Sequence, residues 1–106
     1  MEADLGEQLA LGDLAYGRGD YQGAALHFNR VLRHSPRSRH GLYAYMRKAA
    51  VLRRLGRYDD AVATLEEASE HHPREPDPPY NQGNVLAAGE RYAEALESYR
   101  RAGRLD

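Results

Sequence analysis

A chain of 106 residues with a formal net charge of -1 makes one domain with room for a core but not for a deep cleft, and no bulk charge draws it onto nucleic acid or an anionic membrane. It has no cysteine, which removes disulfides, thiolate metal sites and cysteine nucleophiles together. The amino-terminal stretch is acidic and never reaches an apolar run, and no segment is apolar enough to span a bilayer, so the expected setting is soluble and cytoplasmic, with neither nucleic acid nor membrane as partner.

Apolar spacing and the breakers between apolar runs predict six amphipathic helices and no strand. The first runs from about Ala3 to Tyr16 and stops at Gly17 and Gly19. The second starts after Asp20 and carries Ala24, Ala25, Phe28, Val31 and Leu32 on one face. Ser35-Pro36 ends it, because the residue before a proline avoids helical geometry. The third spans about Ser38 to Leu55 and ends at Gly56. The fourth follows Asp59 with Ala61, Val62, Leu65 and Ala68, and stops before Pro73. PREPDPP is a rigid, extended connection; the fifth helix then covers about Pro79 to Ala88 and the sixth about Tyr92 to Arg104.

The chain also repeats itself. Aligned on Tyr21, Tyr58 and Tyr92, three segments read GDYQGAALHFNRVLRHSP, GRYDDAVATLEEASEHHP and ERYAEALESYRRAGRLD. The first spacing is 37 residues and the second 34. Periods in this range mark stacked repeats, in which no unit can bury its own apolar face alone. Such stacks present long curved surfaces to other macromolecules.

Charge is low in sum but sorted along the chain. From Tyr21 to Tyr58 there is no acidic residue, while Arg30, Arg33, Arg37, Arg39, Arg47, Lys48, Arg53, Arg54 and Arg57 all fall there. From Asp59 to Asp77 the sign flips, with Arg74 the one basic residue among seven acids. One reading is a solvated helical surface; the other is a basic zone that attracts an acidic peptide or neighbour.

With these residues in register, the chain resembles the tetratricopeptide repeat family over nearly its whole length. The family pattern is met by Leu11-Gly12, Gly19-Asp20-Tyr21, Ala24, Phe28 and Pro36 in the first unit. In the second it is met by Tyr45, Ala49, Leu52, Gly56, Tyr58, Ala61, Leu65, Ala68 and Pro73, and in the third by Gly83, Leu86, Tyr92, Ala95, Tyr99 and Ala102. The resemblance implies an all-α fold: a right-handed superhelical stack of three helix-turn-helix hairpins, with repeats at about 5–38, 42–75 and 76–106. Gly12, Ala49 and Gly83 are expected where the two helices of a hairpin come closest, opposite Ala24, Ala61 and Ala95. Gly19 and Gly56 are expected to close helices in left-handed geometry. Tyr21, Tyr58 and Tyr92 mark the turns and are expected to be structural rather than ligand contacts.

Three departures from the pattern stand out. Gln8, Lys48 and Gln82 fall at or beside positions where the family prefers apolar residues. The three extra residues around Arg39-His40-Gly41 imply a third helix longer by about one turn. In the third unit the turn glycine, Gly89, comes one place early. The sequence stops at Leu105-Asp106 with no polar capping helix, which leaves Leu86, Leu96, Tyr99 and Leu105 as an expected exposed packing face. Either the array continues in a longer protein, or a second copy or a partner covers that face.

The resemblance further implies that the first helix of each unit lines a concave groove. Those positions are Leu9, Asp13 and Tyr16; Tyr43, Met46, Arg47, Ala50, Arg53 and Arg54; and Asp77, Tyr80, Asn81, Asn84 and Ala88. Independently, Tyr43, Met46, Arg47, Ala50 and Arg54 form one stripe at helical period, opposite Tyr45, Ala49 and Leu52. Asparagine suits the amides of an extended peptide, and the arginine fork suits carboxylates. An extended, acidic peptide held by Arg47, Arg54, Asn81 and Asn84 is therefore one expectation; the other is that Tyr43 and Tyr80 only pack between units and the arginines are solvated. The carboxy-terminal carboxylate of heat-shock chaperones, which some family members hold, is not an expected ligand. The matching positions here are Leu9, Asp13, Arg47, Asp77 and Asn81, and two of them are acids.

No motif for catalysis, phosphate binding or metal binding is present, so no enzyme activity, cofactor or metal is expected. His71 and His72 are adjacent and diverge on a helix; they read as residues at a helix carboxyl end, where positive charge is favoured. The leading expectation is a non-catalytic protein-interaction scaffold. The alternatives are a homo-oligomer assembled through the last repeat, or an accessory repeat domain of a larger protein.

Overall fold

The computed structural model describes residues 4–106, so the expected start of the first helix at Ala3 lies outside the described residues. Six helices follow one another: α1 (Leu5–Gly17), α2 (Tyr21–His34), α3 (Arg39–Arg54), α4 (Tyr58–His71), α5 (Asp77–Ala88) and α6 (Tyr92–Leu105). The described residues contain no strand, and none of their helices is long and apolar enough to cross a membrane. Each helix packs on its neighbours in sequence, with α1 also touching α3 and α3 touching α5. The result is an elongated all-α stack of three hairpins measuring 44 × 28 × 16 Å.

The first three helices start on side-chain caps: Asp4 accepts from the Glu7 amide, Asp20 from that of Gly23, and Ser38 from that of Gly41. The other three have none, and their first turns carry Asp59 and Asp60, Asp77 and Glu94 against the helix dipole instead. Gly19 (φ 79°) and Gly56 (φ 75°) take the left-handed geometry that ends α1 and α3. The third turn keeps the same backbone but not the same residue. Glu90 holds the left-handed position at φ 63°, while Gly89 sits at φ -88°. The early glycine is thus a displaced residue on a repeated turn, and the strain falls on Glu90.

The wider first spacing resolves as expected. α3 has 16 residues against 12 in α5, and the connection before it is one residue shorter than the one before α5. The extra turn is held close to the preceding loop, since a β-carbon on Gly41 would run into the Ser35 and Pro36 carbonyl groups.

Two buried clusters form the core. The first joins Ala24, Phe28 and Val31 of α2 to Ala44 and Val51 of α3. The second joins Ala49 and Leu52 of α3 to Ala61 and Leu65 of α4 and Val85 of α5. Inside each hairpin, one small residue on the first helix meets one large residue on the second. The pairs are Gly12 with Phe28, Ala49 with Leu65 and Gly83 with Tyr99. A β-carbon on Gly12 or Gly83 would lie 2.6 Å from the facing aromatic ring. Where the partner is the slimmer Leu65, alanine fits.

The polar departures are partly compensated. Gln8 Oε1 is 2.9 Å from His27 Nδ1, and Gln82 Nε2 donates to Glu66 Oε1 at 3.2 Å. Gln82 Oε1, however, is buried without a partner among the described residues, as is Ser69 Oγ. The adjacent histidines tie the end of α4 to α3 and to the connection before it. His72 Nε2 donates to the Pro36 carbonyl at 2.7 Å, and the His71 ring stacks on Tyr45 at 6.0 Å between centroids.

Candidate functional site: the groove between α1, α3 and α5

The helical period of α3 places Ala49 and Leu52 in the core and turns Met46, Ala50, Arg53 and Arg54 toward the space between α1 and α5. That space is a hollow of about 560 Å³ lined by Tyr16, Met46, Ala49, Ala50, Arg53, Arg54, Tyr58, Leu65, Asn81, Val85 and Ala88. Its floor is apolar, from Ala49, Leu65 and Val85. Its rim is polar, from Arg53, Arg54, Asn81 and two tyrosine hydroxyls.

Next to the hollow, α1 and α3 are tied by a polar network. Asp13 accepts from Tyr43 Oη at 2.7 Å and from Arg47 Nε at 3.0 Å. The Arg47 guanidinium also lies 4.6 Å from the centroid of the Tyr16 ring, within cation–π range. Tyr16 Oη in turn accepts from Arg54 Nε at 3.2 Å. The hydrogen bond to Asp13 holds the Tyr43 proton and raises its pKa, and the bond to Tyr16 does the same for the Arg54 guanidinium. Arg47 is therefore occupied: its charge faces a carboxylate and its plane faces a ring.

The sequence-predicted groove residues divide accordingly. Tyr16, Met46, Arg54 and Asn81 line the hollow. Asp13, Tyr43 and Arg47 form the network beside it. Leu9 packs half-buried against the first core cluster. Asn84 is turned to its own hairpin, where its Oδ1 accepts from Tyr99 Oη at 2.6 Å, and the exposed Tyr80 ring tilts against Tyr99 at 5.6 Å. Asn81 Nδ2 donates to the Asp77 carbonyl at 2.9 Å, which leaves its oxygen available.

Sequence reasoning missed Tyr58 as a groove residue. It begins α4 at the turn, yet it is exposed and lines the hollow, with its ring reaching toward the next turn at Gly89. The expected exposed terminal face also needs correction. Leu96 and Leu105 are exposed on α6, and Tyr99 is half-buried, but Leu86 is only 3 % exposed. Leu86 lies on the inner side of α5, so it belongs to the core of the third hairpin.

The sorted charges are partly consumed within the chain. Arg39 pairs with Glu75 at 3.2 Å, Arg57 with Asp60 at 2.7 Å and Arg91 with Asp59 at 2.8 Å. Among the described residues, Arg53 and Arg54 have no carboxylate within ion-pair distance. Nor does any group of three or more histidine, aspartate or glutamate side chains among them lie close enough to hold a metal ion.

Solved structures of similar shape share little sequence with the chain. The Yersinia enterocolitica type III secretion translocator chaperone SycD superposes with a TM-score of 0.86 at 21 % identity, over 95 % of this chain and 73 % of its own. SycD has also been solved with a peptide of the translocator YopD. The TPR2B domain of yeast Sti1, in a complex with pHsp70, gives 0.83 at 22 % identity, over 96 % of this chain and 79 % of its own. MamA of MSR-1 gives 0.79 at 21 % identity, over 97 % of this chain and 57 % of its own. No curated protein matches the sequence. The tetratricopeptide repeat family model matches residues 9–45 and 46–106. With three hairpins in register and nearly every residue inside those matches, the chain belongs to the tetratricopeptide repeat family.

Proposed function

We propose that the protein is a non-catalytic scaffold that holds an extended peptide segment of a partner protein in the groove between α1, α3 and α5. The observation that carries this reading is the combination of an apolar floor (Ala49, Leu65, Val85) with Arg53 and Arg54 at the rim, neither of them matched by a carboxylate among the described residues. An apolar side chain of the ligand would fill the floor. An acidic side chain a few residues away would reach the arginine forks, and the Asn81 oxygen would accept from a ligand amide. The complexes of SycD with a YopD peptide and of the Sti1 domain with pHsp70 lend support from proteins of the same fold. The basic contact thus moves from the Arg47 and Arg54 pair read in the sequence to Arg53 and Arg54, since Arg47 is held by Asp13.

Selection of the protein against a displayed random-peptide library tests this reading. Enriched peptides are expected to pair an apolar residue with a nearby aspartate or glutamate. The Arg53→Glu/Arg54→Glu variant is expected to bind them at least about tenfold more weakly. No enrichment, or equal binding by that variant, would contradict the proposal.

A further inference from the structure

Repeat register shows that the two outer faces of the stack are the two halves of one internal junction. Within the chain, α3 covers α2 with Ala44, Lys48 and Val51, and α5 covers α4 with Pro78, Gln82 and Val85. The same register positions on α1 are Glu7, Leu11 and Leu14. Nothing among the described residues covers them: Leu11 is 38 % exposed and Leu14 52 %. On the receiving side, Ala25 of α2 and Val62 of α4 are half-buried against the core at their junctions. Their counterpart on α6 is Leu96, 50 % exposed.

We propose that α1 of one copy docks on α6 of another, so that the protein associates head to tail with itself. Charge selects a second copy as the occupant. On α6, Leu96, Arg100 and Arg104 form one row at four-residue spacing; on α1, Leu14, Leu11 and Glu7 form the matching row. Consecutive helices in this stack run antiparallel. Docking in the internal register therefore sets Leu14 against Leu96, lays Leu11 between Leu96 and the aliphatic stem of Arg100, and brings Glu7 and the exposed Asp4 to Arg104. The internal precedent for the polar part is Gln82 on Glu66, because these residues hold the register positions of Leu11 and Arg100. Among the described residues, Arg100 and Arg104 have only the exposed Glu97 within ion-pair distance, at 3.9 and 3.7 Å. The contact is heterologous, so each added copy offers a fresh α6 and growth is open-ended.

Sedimentation equilibrium over a concentration series reads this directly. The expected result is an average mass that rises with concentration beyond a dimer, and an association that weakens as salt is added. Leu14→Glu and Leu96→Glu should each leave a monomer, weakening association at least about tenfold. Mixing the two should restore one intact junction and stop at a 1:1 dimer. Glu7→Arg and Arg104→Glu, which leave the core untouched, should each weaken association, and mixing these two variants should recover it. A wild-type protein that stays monomeric throughout overturns the proposal. So does self-association that survives Leu14→Glu, which would signal an α6-to-α6 contact, and so does a mixture that stays monomeric.

Discussion

Gly12 and Phe28 are matched in size: the ring fills the space where a β-carbon on residue 12 would stand, 2.6 Å away. The same position carries glycine again opposite Tyr99 and alanine opposite Leu65, so the helix crossing in each hairpin is set by a pair rather than by one residue. Gly12→Ala should destabilise the protein by about 1–3 kcal/mol through overpacking. In the Phe28→Leu background, which reproduces the pair of the second unit, the same change should cost far less. A thermal or urea double-mutant cycle measures the coupling. Strict additivity would show that the two residues do not set the crossing together.

Exchanging Gly89-Glu90 for Ala-Gly should raise stability by about 1 kcal/mol. The glycine then occupies the left-handed position that Glu90 now holds at φ 63°, and alanine is compatible with the backbone at residue 89. The midpoint of urea unfolding should rise with an unchanged slope. A lower midpoint would mean that the Glu90 side chain does something there beyond occupying the turn.

Gln82→Leu should also stabilise, by about 1 kcal/mol, because it removes the buried Oε1 that has no partner and leaves Glu66 free to hydrate at the surface. Thermal unfolding of this single variant is a sufficient check. A loss of stability would show that the Gln82–Glu66 bond outweighs the orphaned oxygen.

Burial is the main cause that lifts the Tyr45 hydroxyl above its ordinary pKa of 10.0, with the Glu67 and Glu70 charges adding to it. A raised folded-state pKa favours the neutral phenol in the native protein. The associated stability is complete below pH 10 and is lost as the pH climbs toward the folded-state value. From this group, stability should fall by about 1.4 kcal/mol for each pH unit above 10. Tyr45→Phe should lose that part of the alkaline slope while keeping the part from Tyr43, whose pKa its hydrogen bond to Asp13 raises. Identical slopes would place the Tyr45 hydroxyl in contact with solvent.

The helices, their hairpin pairing and the extra turn near His40 were legible in the sequence because glycines, prolines and apolar spacing act locally. The groove was legible only as a stripe on α3. Which arginines remain open in it depends on contacts between residues more than thirty positions apart, such as Asp13 with Arg47. No spacing rule reports these. Leu86 was misplaced for a related reason: an apolar residue on an amphipathic helix is compatible with either side of a packed hairpin, and only the approach of α6 decides between them. Tyr58 reads as a turn marker from its register. Its second role as a groove wall follows from the position of the next unit.

The most direct test of the account is to locate a bound peptide by NMR. Amide shift changes on titrating a selected apolar-acidic peptide into the ¹⁵N-labelled protein should concentrate at Met46, Ala50, Arg53, Arg54, Asn81 and Ala88, on the concave side. They should vanish in the Arg53→Glu/Arg54→Glu variant. Changes confined to the outward faces of α2 and α4, or unaltered by that variant, would contradict the assignment of the groove as the binding surface.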